Sequence, residues 1–168
     1  MQYSVGVEYA LHCLLYMVDS PKGQTIGIKD LAKFQGISES YLSKIYTKLK
    51  KAGIVRSVTG VNGGYELSCS PKDITFWNII EAIEGSAPLF QCAEIRQNNI
   101  LLDKNNLPDA YTKSPCLIKV VMNEAEEQMR IYLNNKTLEW LNNQVKNKLD
   151  KEDIIATKQW FSKKGKNI

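Results

Sequence analysis

Two groups of side chains in this sequence have the types and spacing to do chemistry. One lies between Ser38 and Lys51, where Ser40, Tyr41, Ser43, Lys44, Thr47, Lys48 and Lys51 surround an apolar set at helical spacing, Leu42, Ile45, Tyr46 and Leu49. Hydroxyls and ammonium groups set on a helix in this way can bond to the phosphate oxygens and base edges of a duplex. The other group holds potential metal ligands and redox-active sulfur. Glu8 and His12, the chain's single histidine, stand one helical turn apart and project together. Four cysteines, Cys13, Cys69, Cys92 and Cys116, read as thiols or metal ligands rather than structural disulfides in a cytosolic chain. Cys13 borders an apolar stripe and reads as a buried, inert thiol, and Cys69 closes a strand in a structural role.

These groups need elements to hold them. Ser38 is suited to cap the lysine-bearing helix, Glu39 sets negative charge at its positive end, and Lys48, Lys50 and Lys51 fill its last turn before Gly53. Ile54 to Val58 and Tyr65 to Ser68 are strand-like, joined across Gly60, Asn62, Gly63 and Gly64. A lysine run alone marks only a solvated face. Capped helix followed by glycine-rich hairpin is the order of a winged helix-turn-helix, with the helix entering the major groove and the hairpin lying on the backbone or minor groove.

The remaining chain fits around this head. Ser4 is expected to cap a helix reaching about Val18, with Val7, Ala10, Leu11, Leu14, Leu15 and Val18 as its core stripe, and Ile28 to Gln35 forms a second helix ending at Gly36. Thr75 caps a fourth, Phe76 to Glu84, with Phe76, Ile79, Ile80 and Ile83 inward. Ser86 to Pro115 is a long polar loop, a length that marks function or disorder. Cys116 opens a helix to about Leu133 whose stripe, Ile118, Met122, Ala125, Met129 and Tyr132, can pair with a copy of itself. Thr137 caps another helix, and Ile154, Ile155, Trp160 and Phe161 precede a basic tail with Lys163, Lys164 and Lys166. The fold expected is mainly α with a small β-hairpin wing: a winged helix-turn-helix DNA-binding domain (1–85), a sensor loop (86–115), a long dimerisation helix (116–135), and C-terminal helices with the tail (136–168).

At 168 residues, 43% hydrophobic and 24% charged, the chain is ordinary for a globular protein. The net charge of +4 is mild, so a nucleic-acid surface must be local. Between Ser38 and Arg56 the cations Lys44, Lys48, Lys50, Lys51 and Arg56 face Glu39 alone. No long apolar run or signal-peptide pattern opens the sequence, so a cytoplasmic protein with no membrane partner is expected. No nucleophile–base arrangement, phosphate-binding loop or acid pair points to an enzyme.

The runs YSVGVEYAL, ISESYLSKIYTKLKKAGIV, SVTGVNGGYELS and ITFWNIIEAIEG resemble the Rrf2 family of bacterial regulators. The resemblance implies a homodimer on a palindromic double-stranded DNA operator, with the long helices crossing at the dimer interface. It implies that Ser38, Ser40, Tyr41 and Lys44 meet DNA. Ser43, Lys48, Arg56, Thr59 and Asn62 complete the surface expected to face it. The family's wing often reads V-R-G-P-G-G-G-Y, and Thr59 stands here in place of that arginine.

Cluster-binding members carry three closely spaced cysteines after the fourth helix, whereas this chain has Cys92 and Cys116 with none between. In this it is similar to redox-sensing members with two loop cysteines. These take a glutamate and a histidine from the first helix of one subunit and two cysteines from the other, which implies Glu8, His12, Cys92 and Cys116 as ligands of a 2Fe–2S cluster bridging the dimer. The same donors suit zinc. A chain without metal would sense through a Cys92–Cys116 disulfide or by docking a metabolic enzyme, and Thr59 is in keeping with a protein-interaction module that has given up DNA.

Overall fold

The computed structural model describes residues 2–21, 23–60 and 63–163. Two compact units divide the chain: Gln2–Gly85 with Leu133–Ile168, and Ser86–Tyr132. Asn62 of the wing and Lys164 and Lys166 of the tail lie outside the described residues, as does the side chain of Lys163.

In the first unit, α1 (Val5–Val18), α2 (Ile28–Gln35), α3 (Glu39–Lys51) and α4 (Phe76–Glu84) close around one core, and β1 (Val55–Val58) pairs antiparallel with β2 (Gly64–Leu67). Leu14, Leu31, Leu42, Tyr46, Leu49 and Ile79 are fully buried at its centre. Each is the inward position of a helix whose other faces are polar, which is how a 3.6-residue period becomes a core. Gly36 joins α2 to α3 in the left-handed region, φ +66°, where a side chain would be strained. Ile26 extends the hairpin by a bridge to Tyr65, with N–H···O distances of 2.9 Å in both directions. That approach requires Gly64, because a Cβ there would come within 2.8 Å of the Ile26 carbonyl oxygen. The arrangement is a winged helix-turn-helix.

Two caps differ from each other in an instructive way. Thr75 forms the expected cap of α4, a full capping box with Asn78. Ser4 occupies the N-cap of α1 but makes no side-chain cap; its N–H and hydroxyl both donate to Glu84 Oε1, at 2.8 and 2.7 Å. A carboxylate is the stronger acceptor, and it ties the start of α1 to the end of α4.

The chain returns to this unit at Leu133. A bridge between Thr75 and Thr137 seats α7 (Leu138–Lys146), whose Leu138 is fully buried. Beyond it, α8 (Lys151–Lys163) is a full helix rather than a short one. Its Phe161 lies 5.4 Å from the Tyr16 ring and 5.0 Å from the Phe34 ring, and Trp160 lies 5.7 Å from Phe34. Asp19 adds a charged fastening, accepting from Lys146 at 2.7 Å, Lys158 at 3.1 Å and Asn142 at 2.9 Å.

The second unit contains a 3₁₀ turn at Ile95–Asn98, a single-turn helix α5 (Asp109–Thr112) and most of α6 (Leu117–Asn134). None of the α6 residues is buried; Leu117, Ile118, Val121, Met122, Ile131 and Tyr132 are exposed. Among the described residues no helix is long and apolar enough to cross a membrane.

Replacing Phe161 by Ala is expected to lower the unfolding free energy by about 2 kcal/mol in urea titration, whereas Ile155→Ala, at an exposed position of the same helix, changes it by less than about 0.5 kcal/mol. Burial pushes the Asp19 carboxyl up, but hydrogen bonds from Lys146, Lys158 and Asn142 outweigh it and hold the group below its ordinary 3.8. A depressed carboxylate stabilises fully above its unfolded value and loses that contribution as pH falls through the folded one. Asp19→Asn should therefore be less stable than the parent at about pH 7 and converge with it by about pH 2, read by thermal unfolding.

Candidate nucleic-acid interface and thiol pair

The reading helix α3 presents the side chains singled out from sequence in different states of engagement. Ser38 Oγ accepts from the Tyr41 N–H at 3.5 Å and lies 3.0 Å from Ser40 Oγ, and both serines are exposed. The Tyr41 ring meets Tyr9 of α1 edge-on, with centroids 5.9 Å apart. Its hydroxyl sits against Gly6, where a Cβ would approach it to 3.3 Å. Ser43 is half-buried and its carbonyl accepts from Thr47 Oγ1 at 2.8 Å. The Lys44 and Lys51 side chains are exposed and have no hydrogen-bond partner among the described residues.

Two cations expected on the DNA face are engaged within the chain. Lys48 Nζ donates to the Ile83 carbonyl at 2.6 Å, where the negative end of the α4 dipole attracts it. Arg56 Nε pairs with Glu66 at 2.8 Å, directly across the β1–β2 register. Thr59 is exposed just beyond β1.

The structure brings Cys92 and Cys116 together. Cys116 sits immediately before α6, and its carbonyl accepts the Val120 N–H at 3.0 Å. The Lys119 backbone N–H, chiefly, with help from Ile118 and from the Cys92 side chain, holds the Cys116 thiol below its ordinary 9.0 against the opposing effect of burial. Cys92 Sγ also donates to Glu94 Oε1 at 3.7 Å. Cys13, by contrast, is fully buried and its thiol is pushed up to about 12 by desolvation. Cys69 is exposed, and burial of part of its thiol together with the Asp73 charge raises it.

Glu8 and His12 are both exposed on α1 and line one side of a cleft of about 640 Å³ with Tyr3, Leu11, Phe76 and Leu141. Among the described residues, no three His, Cys, Asp or Glu side chains are grouped to hold a metal ion. Each expected donor pair is thus formed within itself. Sequence reasoning missed the groups that support the thiols, Glu94, Arg96 and Tyr111. Their bonds run to carbonyls and so leave no periodicity; the one available signal was that Arg96 is the single arginine between Ser86 and Pro115.

Comparison with known proteins gives a consistent picture. The family model described as Rrf2, iron-dependent transcriptional regulator, matches residues 3–144. The HTH-type transcriptional regulator IscR of Vibrio atlanticus is 29% identical over 94% of this chain and 86% of its own length. The protein rrf2 of Nitratidesulfovibrio vulgaris is 31% identical over 82% of this chain and 85% of its own. The solved structure of CymR, the global cysteine regulator of B. subtilis, covers 86% of this chain and 98% of its own, with a TM-score of 0.61 and 24% identity, a likeness of fold.

In the reduced, folded protein, the rate of iodoacetamide alkylation should rise with a midpoint below 9.0 at Cys116 and above 9.0 at Cys69, and Cys13 should label only after denaturation. Peptide mass spectrometry across a pH series reads all three.

Proposed function

We propose, from the premise that this chain belongs to the Rrf2 family of transcriptional regulators, that it is a homodimer whose operator binding is switched by a redox-active 2Fe–2S cluster shared between subunits. The coarser part needs no proposal: it is a transcriptional regulator and not an enzyme. The observation that carries the finer part is the contact between Cys92 and Cys116, ahead of α6, in a chain whose single histidine shares an exposed helix face with Glu8.

The donor chemistry fits. Two thiolates, one imidazole and one carboxylate make the four protein ligands that a 2Fe–2S cluster needs, with histidine taking one cysteine's role. Since no three such donors group within one chain among the described residues, the full set calls for two copies. The exposed apolar residues of α6, Ile118, Val121 and Met122 among them, supply a surface for the second copy. Bound there, the cluster would supply a one-electron change of charge at the subunit boundary. Backbone N–H groups of Lys119 and Ile118 favour the thiolate of Cys116, and His12, if a ligand, couples electron gain to proton uptake.

On the DNA side, Ser40, Tyr41, Ser43 and Lys44 are the groups we assign to the major groove, with Ser38 holding the helix end. Lys44 carries the phosphate attraction. Lys48 and Arg56 contribute charge while engaged within the chain, and Thr59 gives the wing a hydroxyl where a minor-groove arginine would otherwise stand. A second reading rests on the same sulfur contact without iron: oxidation of Cys92 and Cys116 to a disulfide.

Protein purified without oxygen is expected to show visible bands that bleach on reduction, with iron and sulfide in equal amounts. His12→Ala should abolish the bands and leave any disulfide untouched. A colourless, iron-free protein overturns the cluster and leaves the disulfide reading. In a salt titration of operator binding, Lys44→Ala should reduce the slope of log K against log salt by about 1, whereas Lys48→Ala should lower thermal stability and leave the slope near the parent's. Binding that ignores salt would overturn the DNA assignment.

A further inference from the structure

Cys92 and Cys116 lie at opposite ends of a segment with little to hold it closed. Ile95 is 76% exposed, Ile100 96% and Leu101 87%, so apolar burial does not bring the ends together. Closing a polar segment of this length opposes chain entropy, and some other interaction must offset it.

We propose that Arg96 is the positioning residue of the thiol pair: its guanidinium fork closes the segment and sets the Cys92–Cys116 contact. From the first limb, Nε donates to Glu94 Oε2 at 2.8 Å, while the other oxygen of Glu94 accepts from Cys92 Sγ at 3.7 Å. Toward the second limb, Nη1 donates to the Ala110 carbonyl at 3.3 Å, and Nη2 to those of Tyr111 at 3.3 Å and Ser114 at 2.6 Å. The guanidinium carbon lies 5.8 Å from the Tyr111 ring centroid. One side chain therefore runs a continuous path from Cys92 through Glu94 to the residues just before Cys116. Glu94 holds φ +51°, the one positive φ outside glycine among the described residues, a conformation that persists only where surroundings hold it. A planar fork with five fixed donors can serve one carboxylate and three carbonyls at once; an ammonium on a flexible stem cannot. The inference rests on reading the cysteine pair as the sensor's donors, but the geometry of the fork does not depend on iron.

The test uses the full chain, reduced and metal-free, with dibromobimane, which fluoresces when it bridges two thiols. Arg96→Ala should slow bridging about tenfold while single-site alkylation of Cys92 stays at or above the parent's rate, since hydrogen bonds to a charged group are lost. Arg96→Lys should lose as much as Arg96→Ala, and Glu94→Gln a smaller share in the same direction, which serves if Arg96→Ala disturbs folding. Bridging at the parent's rate in Arg96→Ala, or full rescue by Arg96→Lys, overturns the proposal. Because the readout needs no cluster, an iron-free spectrum would sink the cluster reading and leave this result standing. If the cluster is present, Arg96→Ala should also lose it to a chelator about tenfold faster.

Discussion

Tyr46 is the contact on which the reading head depends. Its side chain is fully buried, its ring meets Tyr65 of the hairpin at 5.0 Å, and its hydroxyl donates to the Met17 sulfur of α1 at 3.7 Å. One aromatic residue thereby joins the lysine-bearing helix, the wing and the first helix. Burial pushes its hydroxyl far above the ordinary range, so it stays neutral and the contact persists across physiological pH. With Leu42, Ile45 and Leu49 buried beside it, α3 shows its hydroxyls and lysines to solvent because its other face has nowhere else to go.

Charged fastenings finish what the core begins. Glu84 receives two donors from Ser4, Lys48 closes on the Ile83 carbonyl, and Asp19 collects Lys146, Lys158 and Asn142. Each joins elements far apart in sequence, and the first two meet at the end of α4. The last attaches α8, which lies beyond the stretch matched by the family model. The second unit is organised on a different principle. It buries few apolar side chains and relies on side-chain bonds to backbone carbonyls, centred on Arg96, to keep its two cysteines in reach of each other. Such a unit is suited to change state, since a few hydrogen bonds rather than a packed interior hold its arrangement.

Much of this was legible in the residues themselves. Helical periodicity marked α1 through α4 and α7, the Thr75 and Thr137 caps stood where hydroxyls precede apolar runs, and Gly60, Gly63 and Gly64 marked the hairpin. Ser40, Lys44 and Thr59 were identifiable as exposed groups because surface position follows from the same period. Cys92 and Cys116 were identifiable as a pair only through the spacing of cysteines in related regulators, not through any local pattern.

What the sequence by itself determined, then, is every feature whose cause is local: helix faces, caps, turns and the chemical kinds of the side chains. Tertiary structure alone decided which of those side chains remain available. It withdrew Lys48 and Arg56 into contacts with Ile83 and Glu66, diverted Ser4 from its cap to Glu84, and set Cys92 beside Cys116 through Arg96. The physical reason is one of range. A period or a cap is written within a few neighbouring residues, whereas a hydrogen bond to a distant carboxylate or carbonyl has no signature until the chain has brought the partners together.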